Sequence, residues 1–267
     1  MRIYTKSGDL AFRTFDFPDS QPHFILETYE REFNSITIET SLKSPHELFL
    51  LMEAVDVLRN HGYSEINLDC RYLLGARMDR ALSSMEPYTL QLVARVINSL
   101  GFSRVRLLDV HSEVATRLIR NSENVLPKQV VDQVLATLGT GTTGIIIPDR
   151  GATERVQKLT NGFYSQQCYK KRNPQTGTLT DFVVPNRVGP NCLIIDDICD
   201  GGGTFVGLSK ELKKAGATKV NLFVTHGIFS KGLPLEGIDT IYTTDSYQPD
   251  TYGFERVVCI PISMREL

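Results

Sequence analysis

Residues 192–224 hold the feature that most limits how this chain can fold. An apolar strand-like run, Cys192 to Ile195, leads into an acidic, glycine-rich turn, helical spacing over Thr204 to Ala215, and a second strand-like run, Lys219 to Val224. Two strands joined through a helix lie parallel in one sheet, because the crossover brings the chain back to the end it left. A parallel sheet in turn needs helices on its faces. Strand and helix patterns alternate through most of the remaining sequence, so the expected class is α/β with a mostly parallel central sheet.

Other elements follow the same logic. Pro45 opens a helical stretch with apolar positions Leu48, Leu51, Met52, Val55 and Leu58, stopped by Asn60, His61 and Gly62. A strand is expected over Ile66 to Cys70, a helix over Pro87 to Leu100 and a strand over Arg104 to Leu108. The segment Glu123 to Gly144 is polar at its start and rich in Gly and Thr at its end, which places a boundary between two α/β halves, 1–126 and 127–267. Beyond it come a strand over Gly144 to Ile147, a helix from about Ala152 and a strand over Tyr164 to Tyr169. Asn173 to Gly177 reads as an exposed hairpin turn or mobile loop.

Composition excludes several classes. The 267 residues carry a formal net charge of -2, and the longest basic run is Lys170, Lys171, Arg172, which is no footprint for nucleic acid. Apolar runs such as Leu48 to Met52 are far shorter than the roughly 20 residues that span a bilayer. The first residues include an early acid and no apolar core of a signal peptide, so a cytoplasmic location is expected. The five cysteines are scattered without a C-x-x-C pair and read as small core residues of a reduced compartment.

Chemistry concentrates in Asp196-Asp197-Ile198-Cys199-Asp200-Gly201-Gly202-Gly203-Thr204. The strand before it delivers adjacent carboxylates to its carboxyl end, where open α/β sheets bind ligands. The three glycines expose backbone N–H groups that, with a helix N-terminus, can cradle a phosphate, and Thr204 offers a hydroxyl and an N-cap. Carboxylates beside such a cradle suit sugar hydroxyls or a hydrated Mg²⁺ better than a bare phosphate. A sugar phosphate is the ligand these types imply; a purely structural helix-capping turn is the competing reading.

With those residues the sequence resembles the ribose-phosphate diphosphokinases, which share this loop with type I phosphoribosyltransferases. Thr225 to Ser230 matches the family's THGIFS run, Gly75 to Arg80 is similar to its ARQDR segment, and Leu108 to His111 to its DLH. Pro148 to Gly151 and Lys170 to Arg172 resemble its PDxGG turn and the KxR of its catalytic loop. The resemblance implies two similar phosphoribosyltransferase-like α/β halves, an ATP side at 1–126 and a ribose-phosphate and catalytic side at 127–267. It also implies transfer of the β,γ-diphosphoryl group of Mg-ATP to the anomeric hydroxyl of a ribose phosphate, with Mg²⁺ as cofactor and a homo-oligomer as the working form. By resemblance, Lys170 and Arg172 are the catalytic cations. Asp196, Asp197, Asp200, Gly201, Gly202, Gly203 and Thr204 hold the ribose phosphate; Phe17, Asp19, Gln21, Arg77, Met78 and His111 bind ATP; His111 and Asp149 hold Mg²⁺.

The chain departs from the family's pattern at Met78 and Gln21, where the family has Gln and Glu, and at Ala81 to Pro87, which lack its basic residues. Gly201 replaces a Thr, removing a hydroxyl donor and opening space beside the phosphate. Ribose 5-phosphate is the expected acceptor, with ADP-ribose as the larger alternative, and a phosphoribosyltransferase or a silent regulatory homologue as alternatives in function. Gly139 to Gly144 lacks the lysine of a P-loop and is expected to be a turn.

Overall fold

In a computed structural model, residues 1–30, 32–81, 83–139, 141–172, 179–247 and 254–267 are described, with backbone alone for 170–172 and 179–181. The chain forms two compact units, Met1–Val125 and Leu126–Leu267.

The first unit runs β1 (Arg2–Tyr4), β2 (Phe12–Asp16), β3 (Pro22–Leu26), β4 (Ser35–Ser41), α1 (Pro45–Asn60), β5 (Glu65–Tyr72), α2 (Thr89–Ser99), β6 (Arg104–Leu108), α3 (Val114–Leu118) and β7 (Ser122–Val125). Its five-stranded sheet has the order β1-β4-β5-β6-β7, parallel except for β1, and β2 and β3 pair as a separate hairpin. Pro45 suits the first helical turn because it has no N–H to leave unpaired, and α1 then buries Leu51, Ala54, Val55 and Leu58 at helical spacing. The face Leu90, Val93, Ala94 and Ile97 does the same for α2. That helix starts at Thr89, two residues after the expected Pro87.

The second unit continues with α4 (Lys128–Leu138), β8 (Thr143–Ile147), a 3-10 turn over Arg150–Ala152, α5 (Thr153–Leu159), β9 (Ser165–Gln167), β10 (Tyr169–Arg172), β11 (Leu179–Val183), β12 (Asn191–Cys199), α6 (Gly203–Lys214), β13 (Lys219–Gly227), β14 (Thr240–Thr244) and β15 (Val257–Ile260). Its six-stranded sheet has the order β15-β14-β13-β12-β8-β9 and is parallel throughout. Cys192 to Ile195 on β12, and Val220 to Gly227 on β13, are fully buried, as central strands covered on both faces should be.

One expectation needs correction. The strand over Tyr164 to Tyr169 is two strands: Cys168 is buried and its N–H donates to the Ile147 carbonyl at 2.9 Å, after which the chain leaves the sheet for the β10–β11 hairpin. The stretch Glu123 to Gly144 contains the end of β7 and all of α4, whose Val130, Val131, Val134 and Leu135 are buried. The helix expected from about Ala152 starts at Thr153, after the 3-10 turn. Thr142 N–H donates to Gly139 O at 3.1 Å, closing a turn before β8. The expected loop Asn173 to Gly177 lies outside the described residues. Among the described residues no helix is long and apolar enough to cross a membrane.

Candidate active site

Strand order locates the ligand crevice of the second unit. From β8 the chain moves to one side to form β9, and later to the other side to form β12, β13, β14 and β15. The reversal between β8 and β12 is a topological switch point, where the strands' carboxyl ends part and leave a crevice. Their last registered pair is Ile194 with Ile146. Just beyond it lie Asp196 and Asp197 on one strand and Asp149 on the loop after the other, which brings these three expected residues to one sheet edge.

A residue that the sequence reading did not single out joins them. Arg155, in the first turns of α5, places Nη2 3.0 Å from Asp196 Oδ1 and Nη1 2.8 Å from Asp197 Oδ1. Its side chain is 13% exposed, and those of Asp196 and Asp197 are 13% and 3% exposed. Burial, then the neighbouring Asp197, pushes the Asp196 carboxyl well above the usual carboxylate range, and Arg155 pulls it back. One guanidinium therefore balances two carboxylates in a largely dry setting. The only hint in the sequence is that an arginine follows the Pro148-Asp149 turn within one helical turn of Ala152, which many surface helices also show.

Asp149 serves as a cap: its Oδ1 accepts from the N–H groups of Gly151 at 2.9 Å and Ala152 at 3.2 Å. Among the described residues no group of three or more His, Cys, Asp or Glu is arranged to hold a metal ion.

The glycine turn differs from expectation in two ways. Thr204 is not the N-cap of α6. Gly202 takes that position at φ 72°, and its carbonyl accepts from Phe205 and Val206 N–H, both at 3.0 Å. A side chain at 202 would also collide with Leu235. Thr204 thus lies inside the first turn, where its N–H and that of Gly203 have no intrahelical acceptor and can meet an anion. Nor is the space beside Gly201 open. A Cβ there would lie 3.1 Å from Cδ and 3.2 Å from Cε of Lys231, whose methylenes occupy the volume a threonine would fill. Asp200 accepts a hydrogen bond on Oδ1 from the Ser230 hydroxyl.

The remaining expected residues are spread more widely. Lys170 and Arg172 are on β10, antiparallel to β11 with a bulge after Lys171, and their side chains are outside the described set. In the first unit, Phe17, Asp19 and Gln21 form the exposed tip of the β2–β3 hairpin; Phe17 N–H donates to Gln21 O at 2.8 Å, and the Phe17 ring meets Phe15 edge-on at 5.0 Å. Arg77 and Met78 are exposed on the turn after β5, where Met78 N–H donates to Gly75 O at 2.9 Å. His111 is exposed after β6. His226 is held structurally, its Nδ1 lying 2.8 Å from Ser246 Oγ. Cys70, Cys168, Cys192 and Cys199 are buried, and burial pushes the Cys70 and Cys199 thiols up to about 12.

No protein-family model matches the chain. It is 30% identical over 222 residues to a ribose-phosphate pyrophosphokinase of Pyrococcus furiosus, covering 81% of this chain and 77% of that one. A ribose-phosphate pyrophosphokinase of Hyphomonas neptunium is 29% identical over 236 residues, 84% of this chain and 75% of the relative. The fold is that of the phosphoribosylpyrophosphate synthetase of Mycobacterium smegmatis, with a TM-score of 0.80 at 19% identity over 95% of this chain and 86% of the other. Similarity of that order over 81% of the chain, in a protein whose acid pair and glycine turn sit at the switch point of a parallel sheet, shows that it is an enzyme of the ribose-phosphate pyrophosphokinase family.

Proposed function

We propose that this chain transfers the β,γ-diphosphoryl group of ATP to the anomeric hydroxyl of ribose 5-phosphate. The anomeric oxygen bonds to the β-phosphorus, the bond between that phosphorus and the α,β-bridging oxygen breaks, and AMP leaves with the bridging oxygen. The hydroxyl proton passes to solvent. The observation that carries the reading is the pairing, on one strand-to-helix connection, of largely buried carboxylates with a glycine turn that opens the N-terminus of α6. Asp196, Asp197 and Asp200 hold ribose hydroxyls, while Gly201 to Thr204 receive the 5-phosphate on backbone N–H groups.

Phosphoryl transfer needs positioning and charge neutralisation more than covalent help, which is the work we assign to Lys170 and Arg172. Phe17, Asp19, Gln21, Arg77, Met78 and His111 bind ATP in this reading, the aromatic ring against the base and Arg77 on the phosphates. Asp149 and His111 would hold Mg²⁺, which when bound neutralises charge on the nucleotide's phosphates. The working form is a homo-oligomer, which sedimentation of the purified protein reads directly. Ribose 5-phosphate is preferred over ADP-ribose because the relatives are named for a ribose phosphate, and nothing among them supports the larger acceptor. AMP release with each acceptor in turn tests the choice: kcat/KM should favour ribose 5-phosphate, and a clear preference for ADP-ribose would overturn it.

A further inference from the structure

We propose that Lys231 is a phosphate-binding residue of the acceptor site, and that residue 201 is glycine so that the lysine can lie across the loop. This rests on the reading above, in which the turn at 200–204 receives the acceptor's phosphate.

The turn carrying Lys231 is tied to that loop at several points. Ile228 and Phe229 N–H groups donate to Cys199 O at 2.8 and 3.1 Å, the Ser230 hydroxyl donates to Asp200, and Gly232 N–H closes the turn on Phe229 O at 2.8 Å. Leu235 packs on Gly202 just beyond. Between these ties, three successive side-chain carbons of Lys231 follow Gly201: Cγ, Cδ and Cε lie 3.4, 3.1 and 3.2 Å from where a Cβ at 201 would stand. The ammonium is one bond further on, at a loop edge that is exposed. Nothing among the described residues lies within 4 Å of a Cβ built at Gly203, so the loop's next residue faces open space.

Charge gives the geometry its purpose. Asp196 and Asp197 precede the loop and share Arg155, and Asp200 opens it, accepting from the Ser230 hydroxyl. A phosphate dianion entering beside Asp200 is repelled by that carboxylate, and the stem of Lys231 lies against the loop's next residue, where its ammonium can offset the repulsion. Lysine's flexible stem lying along an apolar α-carbon, with its head toward solvent, is the usual way a lysine presents charge. A threonine at 201 would place its methyl and hydroxyl in the stem's path, so a hydroxyl donor at 201 and a cation from 231 are alternatives at the same spot.

Steady-state kinetics of Lys231→Met, Lys231→Arg, Gly201→Thr and the Gly201→Thr/Lys231→Met pair test the proposal, with ribose 5-phosphate and ATP varied separately. Lys231→Met should raise the acceptor KM by about tenfold, the loss of one charge-assisted hydrogen bond, with a much smaller change in kcat or in the KM for ATP. Its acceptor KM should also depend less on salt, and Lys231→Arg should keep most of the wild-type affinity. Gly201→Thr should weaken acceptor binding in the wild-type background but cost it nothing further in the Lys231→Met background, because there the displaced stem carries no ammonium to lose. An acceptor KM unmoved by Lys231→Met would overturn the proposal. If the wild type makes no AMP from ribose 5-phosphate, the functional reading fails on its own, and calorimetric titration with inorganic phosphate decides the lysine's role separately. Binding to the wild type that is lost in Lys231→Met supports it; equal binding, or none to either protein, overturns it.

Discussion

Arg155 opposes the burial and the like charge that raise the Asp196 carboxyl, and its removal should show a pH signature. The Asp196 carboxyl titrates well above its ordinary value when folded, chiefly through burial and secondarily through Asp197. Between the unfolded and the folded value, the folded chain holds a proton that the unfolded chain has lost, so the stability contributed by Asp196 falls as pH rises through that window. Arg155→Met removes the opposing cation, raises the carboxyl further and leaves two buried carboxylates unbalanced once ionised. The variant should lose about 3 kcal/mol at neutral pH and distinctly less at acid pH, once Asp196 is protonated in the folded chain. Urea denaturation at the two pH values measures this, and an equal loss at both would contradict the assignment. The acids were legible in the sequence because adjacent carboxylates after an apolar run stand out. Arg155 and Lys231 were not, since each acquires its meaning from a contact across the fold: one reaches from α5 to β12, the other from the turn after β13 to the loop after β12.

At the scale of elements, the β12–α6–β13 unit is where local and long-range signals agree. Apolar strands, helical spacing and a glycine turn all point to one structure, and the observed bounds depart from the expected ones only at the ends. The helix start is the informative departure. A hydroxyl residue looks like the N-cap in sequence, but Gly202 holds the left-handed conformation that the tight connection requires, with Leu235 packed on its α-carbon. Gly202→Ala combines an unfavourable backbone with a collision and should cost about 1–3 kcal/mol, with a matching rise in the KM for ribose 5-phosphate. Thermal unfolding and kinetics check both; a variant as stable and as active as the wild type would refute the account of the loop. Elsewhere the sequence misled for identifiable reasons. Alternation through Tyr164 to Tyr169 cannot reveal that the chain leaves the sheet at Cys168, and β4 takes its place from distant partners such as Cys70, which pairs with Thr40.

At the scale of the whole molecule, each unit has its own core, one around Ile38, Leu68 and Leu107, the other around Ile194, Leu222 and Leu208. The α/β class could be read from the sequence because helical and strand periods are local, and a reversal of strand order such as that between β8 and β12 could not, because it is a property of the assembled sheet. In the proposed function the diphosphoryl group passes from the nucleotide to the sugar, and the two products separate as AMP and a sugar that carries a diphosphate. Phosphorus NMR of the wild-type protein with ATP, Mg²⁺ and ribose 5-phosphate reads that step directly. The account predicts AMP accumulating in equal amount with a sugar that carries a diphosphate at its anomeric carbon and still bears its 5-phosphate; ADP as the nucleotide product, or no ATP consumed, would contradict it.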